Sequence, residues 1–95
     1  MHVFVINLKE DVKKRIYIEQ QLNALGVAFE IFPAIRGSCL SCDEKKHSYD
    51  EKWFFRNYGR SILPGELGCA LSHLKIYNLI VDRKIPHALI LEDDA

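Results

Sequence analysis

Three acidic side chains stand together at Glu92-Asp93-Asp94, directly behind the apolar run His87 to Leu91 (HALIL). Carboxylate oxygens are the preferred ligands of hard divalent cations, and Mg2+ or Mn2+ sites that also carry a diphosphate usually take only one or two of them from the protein. Side chains two positions apart on a strand point to the same side, so Glu92 and Asp94 are spaced to share a cation. A solvated acidic turn behind a strand is the alternative. A second set, Glu66, Cys69, His73 and Tyr77, falls on one stripe of a helix, beside its apolar stripe. His73 suits phosphate or sugar hydroxyls, and Glu66 in the first turn is stabilised as an anion by the positive helix end. A histidine satisfied at the margin of a core would give the same pattern.

The cysteines offer a third chemistry. Cys39-Leu40-Ser41-Cys42 has CxxC spacing, and Cys69 with His73 would complete a Cys3His zinc site, so a zinc-stapled interaction module is one alternative. Two unused thiols in a loop is the favoured reading, because the CxxC does not open a helix behind a strand as a redox pair would. Arg15 lies inside the apolar arc of the first helix, one turn before Glu19, which leaves open an i,i+4 ion pair or a guanidinium reaching over the sheet end to a phosphate. Lys13 and Lys14 are expected to face outward. Neither GxGxxG nor GxxxxGK[ST] occurs, which counts against dinucleotide-dependent dehydrogenases and P-loop enzymes.

These groups need elements to position them. Val3 to Leu8 (VFVINL) is a near-continuous, β-branched apolar run, as in a strand buried on both faces of a parallel sheet. Asp11 to Leu25 follows as a helix capped by Asp11 and ended by Gly26, with Val12, Ile16, Ile18, Leu22 and Leu25 inward. Val27 to Ile31 is a second strand, which makes a βαβ unit. Arg36 to His47 is expected to be a loop. Ser48 and Glu51 have capping-box spacing for a short helix ending near Gly59, whose aromatics Trp53, Phe54 and Phe55 should cover a sheet edge or line a cleft. Pro64 opens the longest helix, to about Arg83, with Leu67, Ala70, Leu71, Leu74 and Val81 on its buried stripe. Strand His87 to Leu91 comes last. The expected fold class is α/β, an open, mostly parallel sheet flanked by helices, with ligands beyond the carboxyl ends of the strands.

Composition narrows the partners. With 13 basic and 13 acidic side chains the formal net charge is zero, so no global field recruits nucleic acid, and none is expected as a partner. The opening apolar run is too short for a signal peptide or a membrane span, and an odd count of three Cys argues against a disulfide framework; a cytoplasmic protein is expected. An acidic pocket at a parallel-sheet end also suits a phospho-receiver-like regulatory module. Such domains place their acid pair after the first strand, where this chain has Asn7 and Leu8.

Val5-Ile6-Asn7-Leu8-Lys9, Phe29 to Gly37 (FEIFPAIRG), Pro64 to His73 (PGELGCALSH) and Leu89 to Ala95 (LILEDDA) together resemble glycosyltransferase family 25, the lipooligosaccharide-biosynthesis galactosyltransferases and their relatives. The resemblance implies a GT-A (Rossmann-like) fold, of which residues 1–95 would be the amino-terminal, nucleotide-sugar-binding half. It implies inverting transfer of a hexose, galactose by expectation, from a UDP-sugar donor to a lipooligosaccharide or other glycan acceptor at the cytoplasmic face of the inner membrane. By the same resemblance a divalent metal, Mn2+ or Mg2+, would be held by Glu92, Asp93 and Asp94. Asn7, Leu8, Arg15, Arg36, Glu66, Ser72 and His73 would border or support the donor. Arg36-Gly37 departs from the Asp-Gly common after the second strand in the family, which bears on donor choice. The base that deprotonates the acceptor is expected beyond residue 95, so the 95-residue chain is read as a cut through a larger domain with little activity of its own.

Overall fold

The computed structural model describes residues 1–94; Ala95, the last residue of the LILEDDA segment, lies outside the described residues. Strand β1 (His2–Asn7) is buried from Val3 to Asn7 because it is covered on both faces. Its odd and even positions enter different cores. Phe4 and Ile6 pack with Ile76 of α4 (Pro64–Asp82), and around them lie Phe32, Leu79, Ile80 and Ile90. Val5 packs on the other face with Ile18 and Leu22 of α1 (Val12–Ala24), beside Val27, Phe29, Ile31 and Leu91. Strands β2 (Glu30–Pro33) and β3 (Ala88–Glu92) flank β1 in the order β2-β1-β3, both parallel to it. This is the expected open parallel α/β sheet, and all three strands deliver their carboxyl ends to one side.

Several local expectations change. Helix α1 ends at Gly26 as expected, in a Schellman arrangement: Gly26 N–H donates to Asn23 and Val27 N–H to Leu22. Asp11 precedes the helix but makes no side-chain cap bond. Only Ile18 and Leu22 of its apolar arc are buried, while Val12, Ile16 and Leu25 are exposed. Strand β2 starts at Glu30 rather than Val27. Val27 and Phe29 first pack along the α1 core, and pairing begins where Glu30 meets Phe4, running on to Pro33 opposite Asn7. Proline is tolerated there because β2 is an edge strand.

The segment expected as a loop from Arg36 to His47 contains a 3-10 turn (Gly37–Cys39) and helix α2 (Cys42–Ser48). Ser41 caps α2 reciprocally: its Oγ accepts from Glu44 N–H at 3.1 Å and Glu44 Oε1 accepts from Ser41 N–H at 3.2 Å. Ser48 is the last residue of α2, not a cap. Helix α3 (Glu51–Tyr58) is capped by Asp50, which accepts from Trp53 N–H at 2.9 Å, and it stops at Gly59 with φ 70°. Its aromatics cover no sheet edge. Trp53, Phe55 and Tyr58 are exposed by 53%, 59% and 60%, and the α3 rings pack on one another.

Helix α4 begins at Pro64 as expected, but its buried stripe is Gly68, Ser72 and Ile76 with Leu67, whereas Leu74 and Val81 are exposed by 51% and 73%. The helix meets the segment after β2 through its smallest residues. A Cβ on Gly68 would lie 2.8 Å from Gly37 N and closer still to the Ile35 carbonyl, and one on Gly37 would overlap the Pro64 carbonyl. This close approach sets the rotation of α4, with Ile76 inward and Leu74 and Val81 outward. Its end is a second Schellman arrangement, with Lys84 at φ 54° where glycine is usual.

Candidate functional site

Beyond the carboxyl ends of the three strands lies a cleft of about 370 Å³. Ile6, Leu8, Ala34 and Ile35 give it an apolar lining, and Gly37, Pro64, Gly65 and Ser72 border it where α4 meets the segment after β2. Its charged lining divides by sign: Glu92, Asp93, Asp94 and Asp11 contribute acids, and Lys14 and Arg36 contribute cations.

The acidic part is held from behind by Asn7. This buried amide donates to Asp93 Oδ2 at 2.8 Å and to the Asp11 carbonyl at 3.1 Å, while the Asn7 carbonyl accepts from Ala34 N–H at 2.8 Å. One side chain and its own backbone thus tie together the ends of β1, β2 and β3 and the start of α1. Asp93 N–H also continues the ladder to the Ile6 carbonyl at 3.1 Å. Glu92 accepts from the Cys69 thiol at 3.0 Å, and that bond to a carboxylate, with burial behind it, pushes the thiol up to about 11. No ion pair joins Glu92, Asp93 or Asp94 to a Lys or Arg among the described residues.

On the opposite border, Ser72 fixes the segment that carries Arg36. Its buried Oγ accepts from Ile35 N–H at 2.9 Å and donates to the Gly68 carbonyl at 2.7 Å. Arg36 itself makes an ion pair with Glu10 in the β1–α1 connection. The Glu10 carboxylate is held below its ordinary range, first by its own backbone N–H and also by Arg36.

The structure therefore brings Leu8, Arg36, Ser72, Glu92, Asp93 and Asp94 to one cleft, with Asn7 directly behind it. Three other candidates stand outside the lining. Arg15 pairs with Glu19 at 3.3 Å, the i,i+4 alternative. His73 donates through Nδ1 to the Cys69 carbonyl at 2.8 Å, one turn back on its own helix. Glu66 accepts both Arg60 guanidinium nitrogens, at 2.7 and 3.0 Å, together with Leu63 N–H at 2.9 Å. Arg60 above all, and then that N–H, hold the Glu66 carboxyl at about 2, and the pair fastens the α3–α4 connection.

Lys14 is exposed, as expected, and from that position it also lines the cleft. It is the third residue of α1, in the turn nearest the strand ends, which no apolar periodicity reports. Ser38 also lines the cleft and has no motif of its own; Asp11, expected only as a helix cap, and Gly65, within the PGELGCALSH segment, line it as well.

Among the described residues no group of three or more His, Cys, Asp or Glu side chains is gathered to hold a metal ion. The zinc alternative is accordingly not assembled: Cys39 and Cys42 are exposed, and Cys69 is engaged with Glu92. The acidic triple is likewise no closed cage, since Glu92 and Asp93 have separate neutral partners. Its donor set fits a different kind of cation site, in which one or two carboxylates share a hard divalent ion with water and phosphate oxygens. Three adjacent carboxylates without an ion-pair partner among the described residues leave negative charge for such an ion to offset.

An open parallel α/β sheet with a helix on each face and a charged cleft at its strand ends defines a protein of the Rossmann-like α/β class. Residues 1–95 match the model of glycosyltransferase family 25 (LPS biosynthesis protein) throughout, and the chain belongs to that family. It is 32% identical over 100 residues to a glycosyltransferase 25 family member of Drosophila pseudoobscura pseudoobscura, covering 98% of this chain and 15% of that protein. Procollagen galactosyltransferase 1 of Danio rerio is 33% identical, with 97% of this chain and 16% of that protein covered. A putative glycosyltransferase of Haemophilus influenzae is 30% identical, with 98% and 32% covered. The chain thus spans between about one seventh and one third of the length of these relatives.

Proposed function

We propose that residues 1–95 form the amino-terminal, nucleotide-sugar-binding part of a single glycosyltransferase domain. The enzyme transfers a hexose, galactose in this reading, from a UDP-sugar to a lipooligosaccharide or related glycan, with inversion, at the cytoplasmic face of the inner membrane. The observation that carries the reading is the cleft at the carboxyl ends of the parallel strands, with uncompensated carboxylates and two cations in its lining. A nucleoside diphosphate accompanied by a divalent cation has the charges to match both. Family membership supports sugar transfer, similarity to procollagen galactosyltransferase 1 of Danio rerio supports galactose, and the family's link to LPS biosynthesis supports a lipopolysaccharide-type acceptor.

In this reading Glu92 and Asp94 supply carboxylate oxygens to Mn2+ or Mg2+, and Asn7 holds Asp93 beside them. The ion, when bound, neutralises the diphosphate leaving group. The apolar lining at Leu8, Ala34 and Ile35 borders the nucleoside. The carboxylate base that deprotonates the acceptor hydroxyl lies outside residues 1–95. Exposed Val12, Ile16, Leu74, Val81 and Leu89 support the view that these residues are part of a larger domain.

The test is metal-dependent UDP binding by calorimetry, compared between the protein and Asp94→Ala. Mn2+ is expected to strengthen UDP binding to the unsubstituted protein, and the substitution to remove most of that gain. Equal UDP affinity with and without Mn2+, in both proteins, would eliminate the metal–diphosphate role.

A further inference from the structure

The two cations in the cleft differ in what holds them. Arg36 is engaged, its guanidinium paired with Glu10 across the mouth between the β1–α1 connection and the segment after β2. Both partners are about half exposed, at 46% and 54%, so the pair is of the kind that contributes little and exchanges readily. Lys14 lines the same cleft and forms no ion pair with any described residue. It stands in the first turn of α1, whose start is fixed by the Asn7 bond to the Asp11 carbonyl. An unpaired ammonium and a guanidinium that can change partners, set in one cleft with four acids, mark where an anion bound beside a cation would lie.

We propose that Lys14 and Arg36 are the phosphate-contacting cations of this cleft, and that Glu10 is an internal counter-ion which a bound phosphate displaces from Arg36. This inference rests on the nucleotide reading above and adds to it two residues, Lys14 and Glu10, that no motif singled out. Lys14 acts as a point charge, and Arg36 contributes the planar fork that suits phosphate oxygens. Glu10 keeps Arg36 oriented across the mouth before the ligand arrives and opposes binding by competing for the same guanidinium.

The experiment is calorimetric titration of the protein with UDP, uridine and inorganic pyrophosphate in the presence of Mg2+, repeated with Lys14→Gln, Lys14→Arg and Glu10→Gln. Lys14→Gln is expected to weaken UDP and pyrophosphate by about tenfold or more, the usual consequence of losing a charge-assisted contact, and to leave uridine unchanged. Lys14→Arg should retain most of the affinity. Glu10→Gln should strengthen both phosphates by up to about fivefold, as expected when a surface ion pair no longer competes.

If the protein binds UDP and Lys14→Gln binds it equally well, the inference fails while the nucleotide reading stands. If pyrophosphate binds with the expected Lys14 dependence but the uracil nucleoside adds nothing, the phosphate site stands and the nucleotide reading fails. Absence of binding by UDP and pyrophosphate alike overturns both. Weaker phosphate binding by Glu10→Gln would overturn the counter-ion role.

Discussion

At the residue scale, small side chains do more to shape the cleft than charged ones. Gly68 and Gly37 let α4 and the segment after β2 touch backbone to backbone, and Ser72 supplies the one hydroxyl that satisfies Ile35 N–H. A Cβ on Gly68 must displace backbone, so Gly68→Ala is expected to lower stability by about 1–3 kcal/mol. Gly65 lies in the same helix with open space where its Cβ would be, and Gly65→Ala should stabilise by about 0.4–1 kcal/mol. Urea unfolding of both variants checks the pair, and shifts of the same sign would contradict the packing account. Glu66 gives a pH signature. Its folded pKa of about 2 lies below the ordinary value of 4.5, so its contribution is complete above the higher value and is lost as pH falls through that window. Glu66→Gln should therefore be less stable than the parent near neutrality, with the difference closing between pH 4.5 and about 2. A gap that stays constant across the window would show that the Arg60 pair contributes nothing to folding.

At the element scale, capping decides where the short helices lie. Helices α2 and α3 have no buried residue, so they depend on their ends more than on a packed face. Asp50→Ala removes the bond to Trp53 N–H and is expected to cost α3 about 0.5–2 kcal/mol. Hydrogen exchange should report it as faster exchange at the α3 amides with β1 amides unaffected; unchanged protection in α3 would mean that its aromatic contacts hold it without the cap. The Ser41–Glu44 pair that caps α2 lies in the segment expected to be a loop, and it has the same spacing as Ser48–Glu51, which is expected to cap and does not. Spacing alone does not distinguish the two pairs, which stand only a few residues apart. Strand β1 and helix α4 were legible because a six-residue β-branched run and a proline-initiated helix have few other ways to fold.

At the scale of the whole molecule, β1 is the organising strand: α1 packs on one face, α4 crosses the other, and β2 and β3 flank it. That arrangement brings residues as distant in sequence as Asn7 and Asp93 into one hydrogen bond. It also leaves both outer strands of the three-stranded sheet with an open edge among the described residues, alongside exposed aliphatics on α1 and α4. No described helix is long and apolar enough to cross a membrane. The length of the family relatives, several times that of this chain, accords with surfaces suited to further packing.

The sequence by itself determined the parallel α/β class, the family, and the position of the acidic residues at the carboxyl end of a strand, of which Glu92 is the last residue and not the first beyond it, because these depend on local runs and contiguous motifs. Only the tertiary structure decided which charged residues share the cleft. Lys14 enters it, whereas Arg15, Glu66 and His73 are engaged elsewhere. The physical reason is rotation about a helix axis. One residue of chain turns a side chain through about 100°, and that angle was set by two glycines and a serine pressing α4 onto the segment after β2, and for α1 by packing of Ile18 and Leu22 on Val5.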